Sequence, residues 1–165
     1  MDAFVESGMT FGPFNDADVF RIEKSKLLEK CAGTKTVEFI WKKKKTVMVF
    51  VEAKSSSPID REGNENKYRD FISEIKNKFI NSFNLLEAGL YKRRTGYNEI
   101  PEGIRTADYS KIQFNFVLII RGHEETWLPP LQRELEKELK TYRRIWGSQV
   151  FVLNDKLARE NSFIA

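Results

Sequence analysis

Between residues 67 and 91 the apolar positions Phe71, Ile72, Ile75, Phe79, Ile80, Phe83, Leu85, Leu86 and Leu90 recur every three or four residues. That spacing predicts one long helix with a broad buried face. On either side lie stretches rich in β-branched and aromatic residues, TVMVFVEAK at 46 to 54 and IQFNFVLII at 112 to 120. A strand, a long amphipathic helix and a second apolar strand restrict the chain to folds in which helices pack on a sheet.

The remaining segments extend this pattern. Residues 36 to 41 and 46 to 54 flank a run of lysines as the arms of a hairpin do. Asn15, Asp16 and Asp18 are N-cap candidates, and Val19, Phe20, Ile22, Leu27 and Leu28 then follow roughly helical spacing, so a helix is predicted over 16 to 30. SSSPIDREGNEN at 55 to 66 is a polar loop, and residues 95 to 111 form an irregular connection. The nearly continuous apolar end of 112 to 120 is expected of a strand covered on both faces. WLPPLQRELEKELKTYRR, from 127 to 144, opens on prolines suited to a helix start, and QVFVL at 149 to 153 is a closing strand. Helix, hairpin, long helix, strand, helix, strand predicts an α/β fold, a three-layer αβα arrangement with a mixed central sheet and helices on both faces.

At 165 residues the chain fits one domain with a core of its own. Residues 1 to 15 read as an extended lead-in whose phenylalanines dock on the domain, 16 to 120 as the main core, and 121 to 165 as a C-terminal helix and strand. Apolar residues make up 41% and charged ones 32%, enough for a core and a solvated exterior. The net charge of +4 is a mild basic excess, weaker than a dedicated nucleic-acid binder shows. Cys31 is the only cysteine, which excludes an intrachain disulfide and a thiolate zinc site and fits a reducing compartment. The opening MDAFVESGMTFGPF has no basic and apolar leader pattern, and no apolar run approaches the roughly 18 residues of a membrane span. A cytoplasmic protein without a membrane partner is expected.

The hairpin's second arm ends on Glu52-Ala53-Lys54. Side chains alternate across a strand, so Glu52 and Lys54 share a face about 7 Å apart. Glu38 precedes Glu52 by an even number of residues and can join that face when the connecting turn has an odd count, three or five residues. Carboxylates brought together repel, and burial adds a desolvation penalty. A divalent cation between them relieves both. Mg²⁺ and Mn²⁺ favour oxygen ligands and keep waters for reaction, while a nearby lysine can orient such a water or steady phosphate charge.

These residues resemble the PD-(D/E)xK nuclease superfamily, which has the restriction endonuclease-like fold and whose signature is an acidic residue early in one hairpin strand followed by (D/E)-x-K in the next. Glu52-Ala53-Lys54 matches the second element, and Glu38 stands in the place of the first. The resemblance implies a nuclease-like core over residues 16 to 120. It also implies Mg²⁺ or Mn²⁺ held by Glu38 and Glu52, Lys54 at the attacking water, and an auxiliary glutamate in the preceding helix. Glu23 is the candidate for that role, with Glu29 as substitute. The expected activity is hydrolysis of phosphodiester bonds in DNA, with a dimer or a partner subunit choosing the substrate. Where the family usually has Pro-Asp, this chain has Val37-Glu38. That departure motivates the alternative, an inactive module that keeps the sheet and binds nucleic acid or protein.

In a nuclease Lys43 and Lys44, at the hairpin tip, would contact phosphates, and Lys76, Lys78, Lys92, Arg93 and Arg94 would follow the backbone from the long helix. The competing readings are a solvated turn and a solvated helix surface. For Glu52 and Lys54 the competing reading is an ion pair at a strand end, worth about 0.2 to 1 kcal/mol, and for Glu23 a solvated helix glutamate paired with Lys26. His123, the only histidine, reads as an exposed loop residue rather than a general base. One histidine excludes most zinc hydrolases, and the serines of SSSP lack a nucleophile elbow. No glycine-rich phosphate loop is present. Trp127 and Trp146 are expected to be packing residues.

Overall fold

The computed structural model describes residues 2–165. Strands β3 (Val19–Phe20), β4 (Phe39–Lys44), β5 (Val47–Lys54), β6 (Gln113–Ile120) and β7 (Gln149–Asn154) form a five-stranded sheet in that spatial order. The first three are antiparallel, and β5, β6 and β7 run parallel. A parallel neighbour needs a crossover connection. The long helix α1 (Glu65–Leu90) and the single-turn α2 (Glu102–Arg105) lie in the one from β5 to β6, and α3 (Leu128–Glu138) and α4 (Lys140–Trp146) lie in the next. The chain is therefore mixed α/β.

Burial explains the central strands. From Met48 to Ala53 every residue of β5 is buried, as is every residue of β6 after Gln113. On one face Phe50, Phe116 and Leu118 pack against Ile75, Phe79 and Leu86 of α1, with Leu131 and Leu135 of α3 beside them. Phe71 covers the rim of this core and Phe83 lies within it, so the helix has the phase predicted from its spacing.

On the opposite face the helical layer is short and shares its place with a hairpin. A small antiparallel hairpin, β1 (Phe4–Glu6) and β2 (Met9–Phe11), lies there with the short α5 (Asp155–Glu160). Phe11, Phe14, Ala158 and Phe163 pack against Phe39, Val49, Val51 and Val117. The lead-in does dock through its phenylalanines.

The helix predicted over 16 to 30 does not form. Val19 and Phe20 pair with Trp41 and Ile40 as strand β3, and two single 3₁₀ turns, Ile22–Lys24 and Lys26–Leu28, follow. Edge pairing satisfies the backbone of Val19 and Phe20, while the turns bury Ile22 and Leu27. Ser25, between the turns, is extended, and its hydroxyl donates to the Ile22 carbonyl at 2.8 Å. Gly89 of α1 admits the second turn: a Cβ there would stand 2.8 Å from the Leu27 side chain.

Hairpin parity is met by a bulge rather than an odd turn. Lys44 pairs with Val47, leaving only Lys45 and Thr46 in the turn, but Lys42 pairs with Met48. Lys43 is the extra residue, and it supplies the odd count. Beyond the bulge Phe39 pairs with Val51, and Glu38, the residue before β4, comes close enough to Glu52 for their carboxyls to interact. The predicted helix over 127 to 144 divides at the buried Leu139 into α3 and α4. No helix among the described residues is long and apolar enough to cross a membrane.

Candidate functional site

Glu38 stands immediately before β4, and its N–H donates to the Val51 carbonyl at 3.1 Å. The neighbouring Val37 N–H donates to Ser82 Oγ at 2.8 Å, and that hydroxyl donates to the Lys78 carbonyl at 2.7 Å. These bonds fix the entry to β4 against α1.

Glu52 is fully buried. Its Oε1 accepts from Lys78 Nζ at 2.6 Å and lies 3.6 Å from Lys54 Nζ. Its Oε2 is buried without a hydrogen-bond partner. Burial pushes the Glu52 carboxyl pKa up, against the pull of Lys78 and Lys54. Lys54 also donates to Glu74 of α1 at 2.9 Å. Burial alone would lower the Lys54 pKa, but Glu74 and Glu52 outweigh it and leave it raised, so this amine is a cation at neutral pH.

Glu38 has no ion-pair partner within 4.0 Å among the described residues. Its pKa is pushed up to about 8, first by burial and then by the charges of Glu52, Glu23 and Glu6. Glu23 is delivered by the first 3₁₀ turn and Glu6 by strand β1. One carboxylate oxygen from each of Glu6, Glu23 and Glu38 lies within 4.8 Å of the others. Arg21 binds Glu6 and donates from Nη2 to Glu23 at 3.0 Å, with its guanidinium 4.1 Å from the Phe4 ring centroid. Oxygen donors alone, in carboxylate form, suit a hard cation such as Mg²⁺ or Mn²⁺. Glu6, Glu23 and Glu38 fit such an ion; Glu52 is not part of that group.

The four residues singled out in the sequence, Glu23, Glu38, Glu52 and Lys54, thus lie in one charged neighbourhood. The sequence reading missed Glu6, Arg21 and Glu74, and gave Lys78 to phosphate rather than to Glu52. Glu74 and Lys78 sit four apart on α1, a spacing that reads as a surface pair. No local signal marks Glu6, which only the folded N-terminal hairpin brings to the site.

The lysines and arginines assigned to phosphates separate into different roles. Lys78 is committed to Glu52 and is not a surface contact. Lys76 pairs with Glu138 at 3.2 Å. Lys43 donates to the Asn161 carbonyl at 2.6 Å and lies 4.3 Å from the Phe163 ring centroid, tying the hairpin to the C-terminal segment. Arg94 donates to the Leu27 carbonyl at 2.7 Å and to that of Glu29, clamping the second 3₁₀ turn. Lys44 and Arg93 remain exposed.

His123 is buried rather than exposed, against the expectation from sequence. Its ring meets Trp127 edge-on at 5.1 Å, its carbonyl accepts from Asn154, and burial lowers its pKa. Trp146 packs against Phe83 and Phe114. No family model matches the chain, and comparison with curated proteins and with solved structures finds no match.

Proposed function

We propose that the chain is a metal-dependent phosphodiesterase of the PD-(D/E)xK type acting on DNA. The observation that carries this reading is the strand register: it brings Glu38 to Glu52, two residues from Lys54 at the end of β5. The order of three antiparallel strands, a crossover helix and a parallel strand supports a restriction endonuclease-like core. Glu38 and Glu52 would hold Mg²⁺ or Mn²⁺, with Glu23 as auxiliary carboxylate. A divalent cation there would offset phosphate charge and lower the pKa of a bound water. Lys54, kept cationic by Glu74 and Glu52, orients the attacking water and steadies charge that develops on the phosphate. Glu74 and Lys78 fix the Lys54 and Glu52 side chains from α1.

One observation favours a second reading, a binding module without catalysis. Arg21 already pairs with both Glu6 and Glu23, and Lys78 already pairs with Glu52. In that case the charges would be structural, and nucleic acid would meet exposed cations such as Lys44 and Arg93. Incubation of the purified chain with plasmid and single-stranded DNA in Mg²⁺ or Mn²⁺ separates the two. Cleavage by wild type that is lost in Glu52→Gln supports the nuclease; DNA binding without cleavage in either metal supports the module. With so compact a core, a dimer or a partner subunit would select the substrate.

A further inference from the structure

Away from the β5 motif, four segments distant in sequence close around one cavity of about 420 Å³, within the usual size of a small-molecule site. Helix α1 brings Glu87 from its last turns, the connection before β6 brings Tyr97, Arg105 and Tyr109, β6 brings Phe114, and α4 ends on Trp146. Packing fixes the aromatic walls. The Tyr109 hydroxyl donates to the Ile104 carbonyl at 2.8 Å, and its ring stacks with Phe114 at 6.1 Å between centroids. Trp146 meets Phe114 edge-on at 5.6 Å and is still 42% exposed, which leaves indole surface free for a ligand.

Two opposite charges line this cavity without a partner. Neither Glu87 nor Arg105 has an ion-pair partner within 4.0 Å among the described residues. Burial pushes the Glu87 carboxyl pKa up, a hydrogen bond from Tyr91 draws it back, and the Glu87 charge helps to hold the Tyr109 phenol up. The Arg105 guanidinium lies 5.4 Å from the Tyr97 ring centroid, and Lys92 Nζ lies 4.7 Å from the same ring. An aromatic cavity with one carboxylate could take an organic cation, but the two cations already over Tyr97 repel a third. The complementary ligand is a flat ring with hydrogen-bond donors on one edge and an anionic tail.

We infer that this cavity binds a guanine nucleotide, its base against Tyr109 and Trp146, its N1–H and 2-amino group donating to Glu87, and its phosphate on Arg105. Stacking on aromatic rings accepts any base. The carboxylate makes the choice, because among the four DNA bases guanine alone offers two adjacent donors to its two oxygens. The site is separate from the proposed metal centre. Phe114 lies near the start of β6, whereas Lys54 pairs with Ile120 at its end, roughly 20 Å along the strand. The inference therefore stands or falls independently of nuclease activity.

Titration calorimetry of the full chain in metal-free buffer tests it, with guanosine monophosphate, guanosine, adenosine monophosphate and phosphocholine as probes. Guanosine monophosphate should bind wild type, and adenosine monophosphate should bind it more weakly by about tenfold or more. Glu87→Gln should weaken guanosine monophosphate and guanosine alike. Arg105→Ala should weaken guanosine monophosphate by about tenfold or more and leave guanosine unchanged, a split that general loosening of the fold would not give. Failure of wild type to bind guanosine monophosphate, equal affinity for the adenine nucleotide, or binding of phosphocholine instead would overturn the inference. So would an Arg105→Ala variant that weakens both guanine ligands equally. Single-stranded hexamers with and without one guanine identify the source of the nucleotide. Tighter binding of the guanine hexamer than of the mononucleotide supports a site for a strand, and the reverse supports a site for the free nucleotide; equal affinity for the two hexamers, each tighter than the mononucleotide, would overturn guanine recognition.

Discussion

Lys78 Nζ lies 2.6 Å from Oε1 of Glu52, a carboxylate shut off from solvent. Breaking a buried ion pair from one side leaves the other charge stranded, which costs far more than losing a surface pair. Lys78→Met should therefore lower unfolding stability by about 3 to 5 kcal/mol in urea titration. Replacing both residues, Lys78→Met with Glu52→Met, should recover most of the loss. A near-neutral single variant would mean that Lys54 alone serves Glu52.

Burial gives a second stability prediction. Phe79 of α1 is fully buried, and its ring lies tilted at 5.1 Å between centroids from that of Phe116 of β6. Phe79→Ala should cost about 3 to 5 kcal/mol through lost transfer energy and the cavity left behind. An unchanged urea midpoint would show that α1 does not seal the sheet through this side chain.

Glu38 predicts a pH dependence with a definite sign. Its pKa is about 8 in the folded chain against an ordinary value of 4.5. The folded state thus holds a proton that the unfolded state releases, so the stabilisation is full below about pH 4.5 and is lost as pH rises toward 8. In metal-free protein, thermal unfolding of wild type should fall relative to Glu38→Gln between pH 5 and 8. Parallel curves for the two proteins across that window would contradict the assignment. Mn²⁺ must displace the same proton, so its affinity should rise with pH by up to about tenfold per unit over this range.

The sheet and the long helix were legible because their signals are local. Unbroken apolar runs such as Phe114 to Ile120 and the periodic Phe71, Ile75, Phe79 and Phe83 carry their own burial pattern. Val19, Phe20 and Ile22 mislead because their spacing fits a helix and a strand equally, and only pairing with Trp41 and Ile40 decides for the strand. The spacing of Glu38 and Glu52 asked for an odd turn, yet the odd residue is Lys43 in a bulge, which no turn rule identifies. The partners of the motif were hidden for a different reason. Glu6, Arg21 and Lys78 act through contacts set by tertiary packing, and as isolated letters they look like ordinary surface charges.

Lys54 and Lys78 meet the same carboxylate, and this allows catalysis to be separated from folding. Lys78 is the closer partner, at 2.6 Å against 3.6 Å, and the more buried of the two. Lys54→Ala leaves Glu52 with that closer cation, so the variant should remain folded and should still bind Mn²⁺. Cleavage of DNA, by contrast, should fall by roughly 10²-fold or more, since a positioned charge acting in the transition state is worth a few kcal/mol. Lys44→Ala changes an exposed cation at the hairpin tip, so it should weaken DNA binding in a salt-dependent way and leave turnover of bound DNA intact. Single-turnover rates for the three proteins, measured at saturating enzyme, provide the comparison. Equal rates for wild type and Lys54→Ala would assign Lys54 to the Glu52–Glu74 ion-pair network alone and move the reacting centre away from the end of β5.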